Sequence, residues 1–355
     1  MELAIELAKK GEGKVNPNPM VGAVIVKEGI VIGKGYHEKY GQEHAEVNAF
    51  KSLKEDPSGA TMYVTLEPCS HYGKTPPCVD KIIQSKIKRV VIGMIDPNPL
   101  VAGNGVDKLK MAGIEVKVGV LEDRCKKLNE IFIKYILTKK PYVVLKVAMS
   151  LDGKIATKTG ESKWISSEKS RLQVHNLRNK LSAIMVGVNT VIKDNPELTC
   201  RIENGNNPIR IIVDSTLRIP INSKVLQIRD NKTIIATTKK ANINSIQELL
   251  NRNIKVIIIE EKNGQVDLSE LIKKLGELNI DSILLEGGST LNYSALEEKI
   301  VDKAMIYISP KFIGGESSKT PVGGRGIDKL NDAFRLKDID INIVDEDILV
   351  KGYIG

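Results

Sequence analysis

One stretch of the sequence, residues 142–149, is apolar at every position except Lys146. A continuous apolar run of this length is typical of a strand buried on both faces, as in the parallel sheet of an α/β domain. The run follows Thr138-Lys139-Lys140-Pro141, where a lysine pair and a proline predict the end of a helix. The sequence therefore predicts a first domain over residues 1–141 and a second α/β domain over residues 142–355.

Both parts of the chain show the patterns of α/β architecture. Strand-like and helix-like segments alternate in residues 1–141, and the same alternation returns after residue 142. The tail over residues 334–353 alternates with a period of two and is expected to close the second sheet with an antiparallel pair. No apolar run approaches the roughly 20 residues of a membrane span, so a membrane protein is excluded at this stage.

The charge of the chain does not indicate a nucleic-acid partner. The formal net charge is +9, but residues 1–141 carry 22 basic and 17 acidic groups and the remainder carries 31 and 27, without a strongly basic run. Aromatic residues make up only 4% of the chain. Such a balance fits small anionic substrates better than a groove for nucleic acid.

Cysteine usage and the amino terminus predict a cytoplasmic protein. Four cysteines in 355 residues are too few for a disulfide framework, so a clustered pair is better interpreted as metal ligands. Residues 1–10 have the pattern of an amphipathic helix and lack the apolar block of a secretory signal.

The clearest chemical pattern lies in the first domain. His44-Ala45-Glu46 is followed by Pro68-Cys69 and by Cys78, with eight residues between the two cysteines. One imidazole and two thiolates make three protein ligands, as in catalytic zinc sites that keep a fourth position open. Glu46 is not needed as a ligand and is the natural general base, taking a proton from an activated water and delivering it to a leaving amine. The pattern predicts hydrolytic deamination.

This zinc site makes demands on the local structure. His44 and Glu46 would face nearly opposite sides of an ideal helix, so His44 must lie at the helix entry. Cys69 follows a strand and a proline suited to a first helical position, and Cys78 precedes a helical pattern. We therefore expect both thiols at helix amino termini, where the positive dipole end stabilises a thiolate. The alternative is a closed structural zinc site, for which His71 is the only nearby fourth ligand.

The same residues carry a family resemblance. His44-Ala45-Glu46 with Pro68-Cys69 resembles the zinc deaminase superfamily. The long loop over residues 65–78 and the segment Asn16-Pro17-Asn18-Pro19-Met20-Val21-Gly22 are similar to the bifunctional deaminase–reductases of riboflavin biosynthesis. The resemblance implies a cytidine-deaminase-like three-layer α/β/α domain followed by a dihydrofolate-reductase-like α/β domain. It further implies one zinc ion, NADPH, a homo-oligomer, and no nucleic-acid or membrane partner.

The implied reactions are two successive steps on a small phosphorylated pyrimidine. The family deaminates 2,5-diamino-6-(5-phosphoribosylamino)pyrimidin-4-one and then reduces the ribosyl chain to ribityl with NADPH. By resemblance, the pyrimidine and phosphate pocket of the deaminase is lined by Asn18, His37, His71, Lys74, Asp96 and Asn98. Taken alone, each of these is also a common turn residue.

The second domain offers weaker signals of its own. No Gly-x-Gly-x-x-Gly follows any strand, so a Rossmann fold is unsupported. Gly287-Gly288 joins a buried strand to a helix and is either a phosphate cradle or a tight turn. Lys146 within its apolar strand indicates a site, unless the strand lies at an edge of the sheet and the side chain snorkels to solvent.

The reductase half of the same family assigns further residues. The resemblance implies that NADPH contacts Ala148, Trp164, Thr190, Asp194 and Gly288, and that the ribosyl phosphate substrate faces Ser162, Arg178, Leu198, Arg201 and Glu286. Lys146 and Asp194 are candidates for proton relay or orientation. Two alternatives remain: a deaminase whose second domain only binds a ligand, and a nucleic-acid base deaminase or binding module.

Overall fold

A computed structural model describes residues 1–72 and 76–355 of the chain. The chain separates into two units, Met1–Lys139 and Lys140–Gly355. Among the described residues, no helix is long and apolar enough to cross a membrane.

The first unit is built on a five-stranded sheet in the order β2-β1-β3-β4-β5. The strands are β1 Gly22–Lys27, β2 Ile30–Tyr36, β3 Thr61–Leu66, β4 Arg89–Met94 and β5 Glu115–Val118. The strand β1 pairs antiparallel with both neighbours, whereas β3, β4 and β5 are parallel. The helices are α1 Glu2–Lys9, α2 Ala45–Lys51, α3 Cys78–Gln84, α4 Asn104–Met111, α5 Glu122–Leu128 and α6 Glu130–Thr138.

Alternation along β1 explains why helices cover both faces of this sheet. Ala23 and Ile25 belong to the main core cluster, which includes the buried alanines of α2 and the apolar residues of α3. Val24, on the opposite face, packs with Ala4 and Leu7 of α1. The result is a three-layer α/β/α arrangement, with the ends of β3 and β4 beside the starts of α3 and α4.

The second unit is built on a nine-stranded sheet in the order β10-β9-β8-β7-β13-β6-β14-β16-β15. These strands are β6 Tyr142–Ser150, β7 Ala183–Gly187, β8 Ile209–Val213, β9 Thr233–Thr237, β10 Lys255–Ile258, β13 Ser282–Leu285, β14 Lys303–Ser309, β15 Leu336–Val344 and β16 Asp347–Ile354, and a small hairpin joins β11 Glu261–Lys262 to β12 Gln265–Val266. The helices are α7 Glu168–Lys180, α8 Val188–Asp194, α9 Lys224–Gln227, α10 Ile243–Asn251, α11 Leu268–Glu277 and α12 Ser289–Glu297.

Seven strands of this sheet, from β10 to β14, run parallel, so their carboxyl ends meet at one edge. The tail forms the expected antiparallel closure, because β16 pairs with β14 and β15 pairs with β16. The strand β6 lies between β13 and β14, which explains its continuous apolar sequence. Lys146 therefore lies in a central strand, and its placement at an edge of the sheet is excluded.

Candidate active sites

Three metal-ligating side chains from separate segments converge in the first unit. His44 Nδ1 lies 3.5 Å from Cys69 Sγ and 3.4 Å from Cys78 Sγ, and all three ligand atoms lie within 4.8 Å of one another. Tetrahedral ligands at zinc distances of about 2.0–2.3 Å would be roughly 3.5 Å apart. The donor set and its spacing therefore fit a zinc ion held by one imidazole and two sulfurs.

His44 reaches this point because it precedes the helix instead of lying within it. It is the residue before the first turn of α2, with extended backbone at φ −72° and ψ 161°. The expected position at the helix entry is confirmed. An extended residue at this position frees the imidazole from the helical spacing that would otherwise separate it from Glu46.

The two cysteines differ in their local structure. Cys78 is the first residue of α3, as expected, but Cys69 lies in irregular backbone after β3, so its predicted place at a helix amino terminus is wrong. The segment runs beside α3 instead, with the Val79 amide donating to the Cys69 carbonyl at 3.2 Å. The Cys78 amide donates to Cys69 Sγ at 3.3 Å, so the sulfur still receives an N–H group from the start of a helix.

These contacts favour a thiolate at Cys69. A hydrogen bond from the Cys78 side chain holds the pKa of Cys69 well below its ordinary value, and bonds from His44 and from the Cys78 amide act in the same direction. The same bond raises the pKa of Cys78, so without a metal the pair shares one negative charge, centred on Cys69. The hydrogen bond to Cys69 in turn raises the pKa of His44 to about 8. A thiolate is the form that a metal requires.

Glu46 is the buried acid of this site. The residue is only 3% exposed, and its carboxyl group interacts with the Cys78 side chain. Burial raises the pKa of Glu46 to about 7, and the negative charge of Cys69 adds to the effect. A carboxyl group with a pKa near neutrality is matched to accepting and releasing a proton at neutral pH.

Asn18 and His37 border the same cluster. The His37 ring packs edge-on against the His44 ring, with 5.9 Å between the centroids. His37 Nδ1 donates to the Glu43 carbonyl at 3.0 Å, because that oxygen can only accept, and Nε2 is left to accept from Asn18 Nδ2 at 3.2 Å. Burial lowers the pKa of His37, so the neutral imidazole is favoured.

Asp96 and Asn98 lie in the loop that follows β4. Asp96 Oδ1 accepts from the Asn98 amide at 2.9 Å, which is a compact Asx turn. Burial raises the pKa of Asp96, and the negative charge of Cys69 adds to the rise, whereas the charge of His71 opposes it. Because Cys69 acts on Asp96, the loop lies near the metal cluster. His71 itself is exposed and does not belong to the cluster, so the described residues do not form the closed structural site.

The second unit has a large cavity at the carboxyl edge of its parallel strands. Its volume is about 920 Å³, and it is lined by the segments that follow β6, β7, β8 and β13 and by the loop after β14. The predicted residues Ser162, Thr190, Asp194 and Gly288 are in its lining, whereas Ala148 and Trp164 are not. Trp164 is 61% exposed, and the Arg171 guanidinium lies 4.6 Å from its ring centroid.

Three partly buried charged side chains, Lys146, Arg178 and Glu286, form a group close to Gly288 of the cavity. Arg178 and Glu286 form a bidentate ion pair, in which Arg178 Nε donates to Glu286 Oε1 at 3.2 Å and Arg178 Nη2 donates to Glu286 Oε2 at 2.9 Å. Burial opposes ionisation of Glu286, but the charges of Arg178 and Lys146 outweigh it and hold the pKa of Glu286 below its ordinary value. Burial also lowers the pKa of Lys146, against the attraction of Glu286. Arg178 donates as well to the carbonyl of Thr199, next to the buried Leu198, while Arg201 is exposed.

Comparisons with known proteins match both units. Residues 1–94 match the model of the cytidine and deoxycytidylate deaminase zinc-binding region, and residues 141–350 match the model of the RibD C-terminal domain. The riboflavin biosynthesis protein RibD of Actinobacillus pleuropneumoniae is 51% identical over 351 residues, which cover 99% of this chain and 93% of that protein. The chain belongs to the RibD family.

Solved RibD structures share the whole architecture. RibD of Acinetobacter baumannii superposes with a TM-score of 0.90 at 39% identity, covering 100% of this chain and 97% of that one. A deaminase/reductase of Thermotoga maritima gives a TM-score of 0.88 at 42% identity, with the same coverage. As a RibD family member, the chain is a zinc- and NADPH-using deaminase and reductase of riboflavin biosynthesis. The expected family, its function and the pair of cytidine-deaminase-like and dihydrofolate-reductase-like folds are confirmed.

The sequence patterns missed some residues of the two sites, and one predicted residue lies outside the described part of the chain. Lys74 falls within residues 73–75, which the structure does not describe. Ser215 and Arg218 after β8 and Gly264 beside β12 line the cavity, although they belong to no sequence pattern that we singled out. Their only sequence signal is position, because they follow parallel strands or lie in the loops next to them.

Glu67 is the most informative of the missed residues. Its carboxylate accepts from the amides of Asp96 at 3.1 Å, Gly103 at 3.0 Å, Gly105 at 2.8 Å and Val106 at 3.3 Å. It lies between the strand and Cys69, and it is 5% exposed. Glu67 thus ties the cysteine segment to the loop of Asp96 and to the start of α4. A glutamate next to Pro-Cys was visible in the sequence, but its partners were not.

Proposed function

We propose that residues 1–141 deaminate 2,5-diamino-6-(5-phosphoribosylamino)pyrimidin-4-one and that residues 142–355 reduce the ribosyl chain of the product. The substrate is named after the Thermotoga relative, which is a diaminohydroxyphosphoribosylaminopyrimidine deaminase and 5-amino-6-(5-phosphoribosylamino)uracil reductase. The observation that carries the proposal is the buried Glu46 carboxyl beside three convergent metal ligands.

In the deaminase, His44, Cys69 and Cys78 would hold the zinc, which would supply Lewis acidity that lowers the pKa of a water placed to attack the pyrimidine carbon bearing the amine. Glu46 takes a proton from the attacking water at its carboxylate and passes it to the departing amine. Its raised pKa supports this role, since the same group must accept and then release the proton.

The pyrimidine is positioned by amide and carboxylate groups around the metal cluster. Asn18 is held by the neutral His37 ring, so its amide is oriented before substrate arrives. Asp96 and Asn98 present a second set of polar groups from the loop after β4. His71 and Lys74 complete the proposed pocket, with Lys74 as the cation for the substrate phosphate.

In the reductase, NADPH supplies the hydride, and the chain positions the cofactor and the sugar. We assign the cofactor to the cavity of about 920 Å³, with Thr190, Asp194 and Gly288 in contact with it. For Ala148 and Trp164, which lie outside the lining, contact with the cofactor is proposed from the family resemblance alone. The residues proposed to face the substrate are Ser162, Arg178, Leu198, Arg201 and Glu286. Arg178 is already engaged by Glu286, so the exposed Arg201 is the better phosphate ligand. Lys146 and Asp194 orient the sugar or move a proton.

A homo-oligomer and a cytoplasmic location complete the proposal. The strand β15 ends the sheet order and exposes Ile339, Ile341 and Ile343 on one face, at 57%, 63% and 70% of their surface. A second copy of the chain would cover this surface, and light scattering of the Ile341→Lys variant would show a smaller particle. Four free cysteines in the structure agree with a reducing compartment.

Two assays of the full chain test the two activities separately. Ammonia release from the diaminopyrimidinone should stop when a chelator removes zinc and return when zinc is added. NADPH oxidation with the deaminated intermediate should continue in the presence of the chelator. Deamination by metal-depleted protein, or a lack of NADPH oxidation by protein with a folded second unit, would contradict the proposal.

A further inference from the structure

Two lysine side chains meet in the cavity of the second unit. We propose that Lys193 and Lys319 together hold the pyrophosphate of the nicotinamide cofactor, an inference that rests on the assignment of this cavity to NADPH. Neither residue belongs to the groups that the sequence analysis singled out.

The two ammonium groups approach one another without an acidic partner. Lys193 lies in the last turn of α8 and Lys319 in the loop after β14, and both line the cavity. Their side chains lie close enough for Lys193 to lower the pKa of Lys319. Among the ion pairs of the described residues, none involves either lysine. Two like charges in contact are unfavourable, and an anion bound between them would remove the repulsion.

Both lysine-bearing segments border the start of α12. The hydroxyl of Ser289, the first residue of α12, donates to the carbonyl of Thr320, which follows Lys319. On the other side, Thr190 lies one turn before Lys193, and its Oγ1 is 3.7 Å from the point where a Cβ of Gly288 would stand. The first amides of α12 have no partner within the helix. Two ammonium groups and these amides therefore border one part of the cavity.

The charge of the cavity favours an anion. Its lining holds five cationic side chains, from Lys154, Lys158, Lys193, Arg218 and Lys319. Only two carboxylates, those of Asp194 and Glu316, oppose them. Arg178 and Arg201, which we assign to the substrate, are not in the lining. Of the residues assigned to the substrate, only Ser162 is in the lining, and it carries no charge. On the assignment of this cavity to NADPH, the anionic group that its cations attract is a phosphate of the cofactor.

The position of α12 selects the pyrophosphate among the cofactor phosphates. The helix follows β13, which lies between β7 and β6. On the β7 side of α12, the cavity lining extends to Ser215 and Thr216, which follow β8. On the β6 side, it extends to residues 154–160, which follow β6. The pyrophosphate is the central group of a dinucleotide, so it belongs at the middle of this surface, with adenosine and nicotinamide toward its ends.

The test uses the full chain with Lys193→Gln, Lys319→Gln and the double substitution. Dissociation constants for NADPH and for NADH are measured by the change in nicotinamide fluorescence. Each single variant should bind both cofactors about 5-fold more weakly and the double variant about 30-fold more weakly, because both cofactors carry the pyrophosphate. Lys224→Gln, an exposed lysine on α9, is the matched control and should bind like the original chain.

A structural role would give a different result. If the pair binds a ligand, removal of one of the two repelling charges should leave the Tm of the chain unchanged or slightly raised, and deamination should be unaffected. If the pair instead stabilises the fold, the Tm should fall. If the lysine variants bind NADPH more weakly but bind NADH normally, the pair contacts the 2′-phosphate and the inference is overturned. A raised KM for the pyrimidine with unchanged cofactor binding would assign the pair to the substrate phosphate, and unchanged binding of all ligands would show no ligand role.

Failure of the underlying cavity assignment has its own signature. Gly288→Phe should fill the cavity and abolish NADPH binding. If that variant binds NADPH normally, the cofactor lies elsewhere and the proposed function of the cavity is wrong. If Gly288→Phe blocks binding while the lysine variants do not weaken it, the cavity assignment stands and only the lysine inference fails.

Discussion

The two units assemble their sites over very different lengths of chain. The metal ligands of the first unit lie between His44 and Cys78, and their ligand atoms lie within 4.8 Å of one another. The cavity of the second unit draws its lining from residue 154 to residue 323. A metal site needs three atoms at one point, whereas a dinucleotide needs an extended surface.

This difference decides how each site is stabilised. The metal cluster is surrounded by buried groups with specific partners, such as Glu46, His37 and Glu67. The cavity relies on the common edge of parallel strands and on one partly buried ion pair, Arg178–Glu286. We expect substitutions in the first unit to separate chemistry from folding more cleanly than substitutions in the second.

The largest effect is expected from Glu46→Gln, which tests whether catalysis in the first unit can be lost without a loss of folding. Glu46→Gln keeps the shape of the side chain but removes the group that moves the proton, so ammonia release should fall about 10³-fold. Zinc content by elemental analysis should stay the same, and reduction of the deaminated intermediate should be unchanged. Deamination at the original rate would mean that another group is the base.

In the second unit, function and stability should change together. Glu286→Leu leaves Arg178 and Lys146 as partly buried cations without a counter-charge, which should cost about 3 kcal/mol in the free energy of unfolding. Urea unfolding of the second unit measures the loss. The double variant Arg178→Leu, Glu286→Leu should recover part of the stability, because one of the two unpaired cations is gone while Lys146 remains, but it should not recover NADPH oxidation. An equal loss in both variants would contradict the ion-pair argument.

Glu67 allows a sharper comparison within the first unit. Glu67→Ala leaves four backbone amides without their acceptor, so we expect a loss of about 2 kcal/mol in unfolding free energy. The KM of deamination should rise more than kcat falls, because the loop of Asp96 and Asn98 moves while Glu46 stays in place. Glu67→Gln keeps an oxygen acceptor and should recover part of both; a fall in kcat alone would place Glu67 in the chemistry.

The smallest expected effect is on the pH dependence of stability, through Asp152 in the loop after β6. Asp152 accepts from Ser150 Oγ and from the amides of Ile313 and Gly314, and these bonds lower its pKa to about 2, with Ser150 the largest contributor. A lowered pKa in the folded state stabilises the chain above the ordinary carboxyl pKa of about 4, and this contribution is lost as the pH falls toward 2.

Asp152→Asn should remove that part of the pH dependence. The Tm of the variant, measured from pH 5 to pH 2 by scanning calorimetry, should fall less steeply than that of the original chain. Identical slopes for the two proteins would show that the bonds to Asp152 do not contribute.

The sequence by itself determined the metal chemistry and the class of fold. The His-x-Glu and Pro-Cys pieces could be recognised because ligands from consecutive α/β elements must meet at one point, which limits their spacing. The apolar run of β6 predicted a buried parallel strand because side chains on both of its faces must leave water. Even here the sequence failed at Cys69, whose segment packs along α3 instead of starting a helix.

Only the tertiary structure decided which distant residues act together. The partners of Glu67, the pairing of Arg178 with Glu286 and the meeting of Lys193 with Lys319 join residues up to 126 positions apart. Strand order brings these residues together, and strand order depends on how whole sheets bury their faces. No local spacing records that result, because a carboxylate or an ammonium group looks the same in sequence whatever lies opposite it.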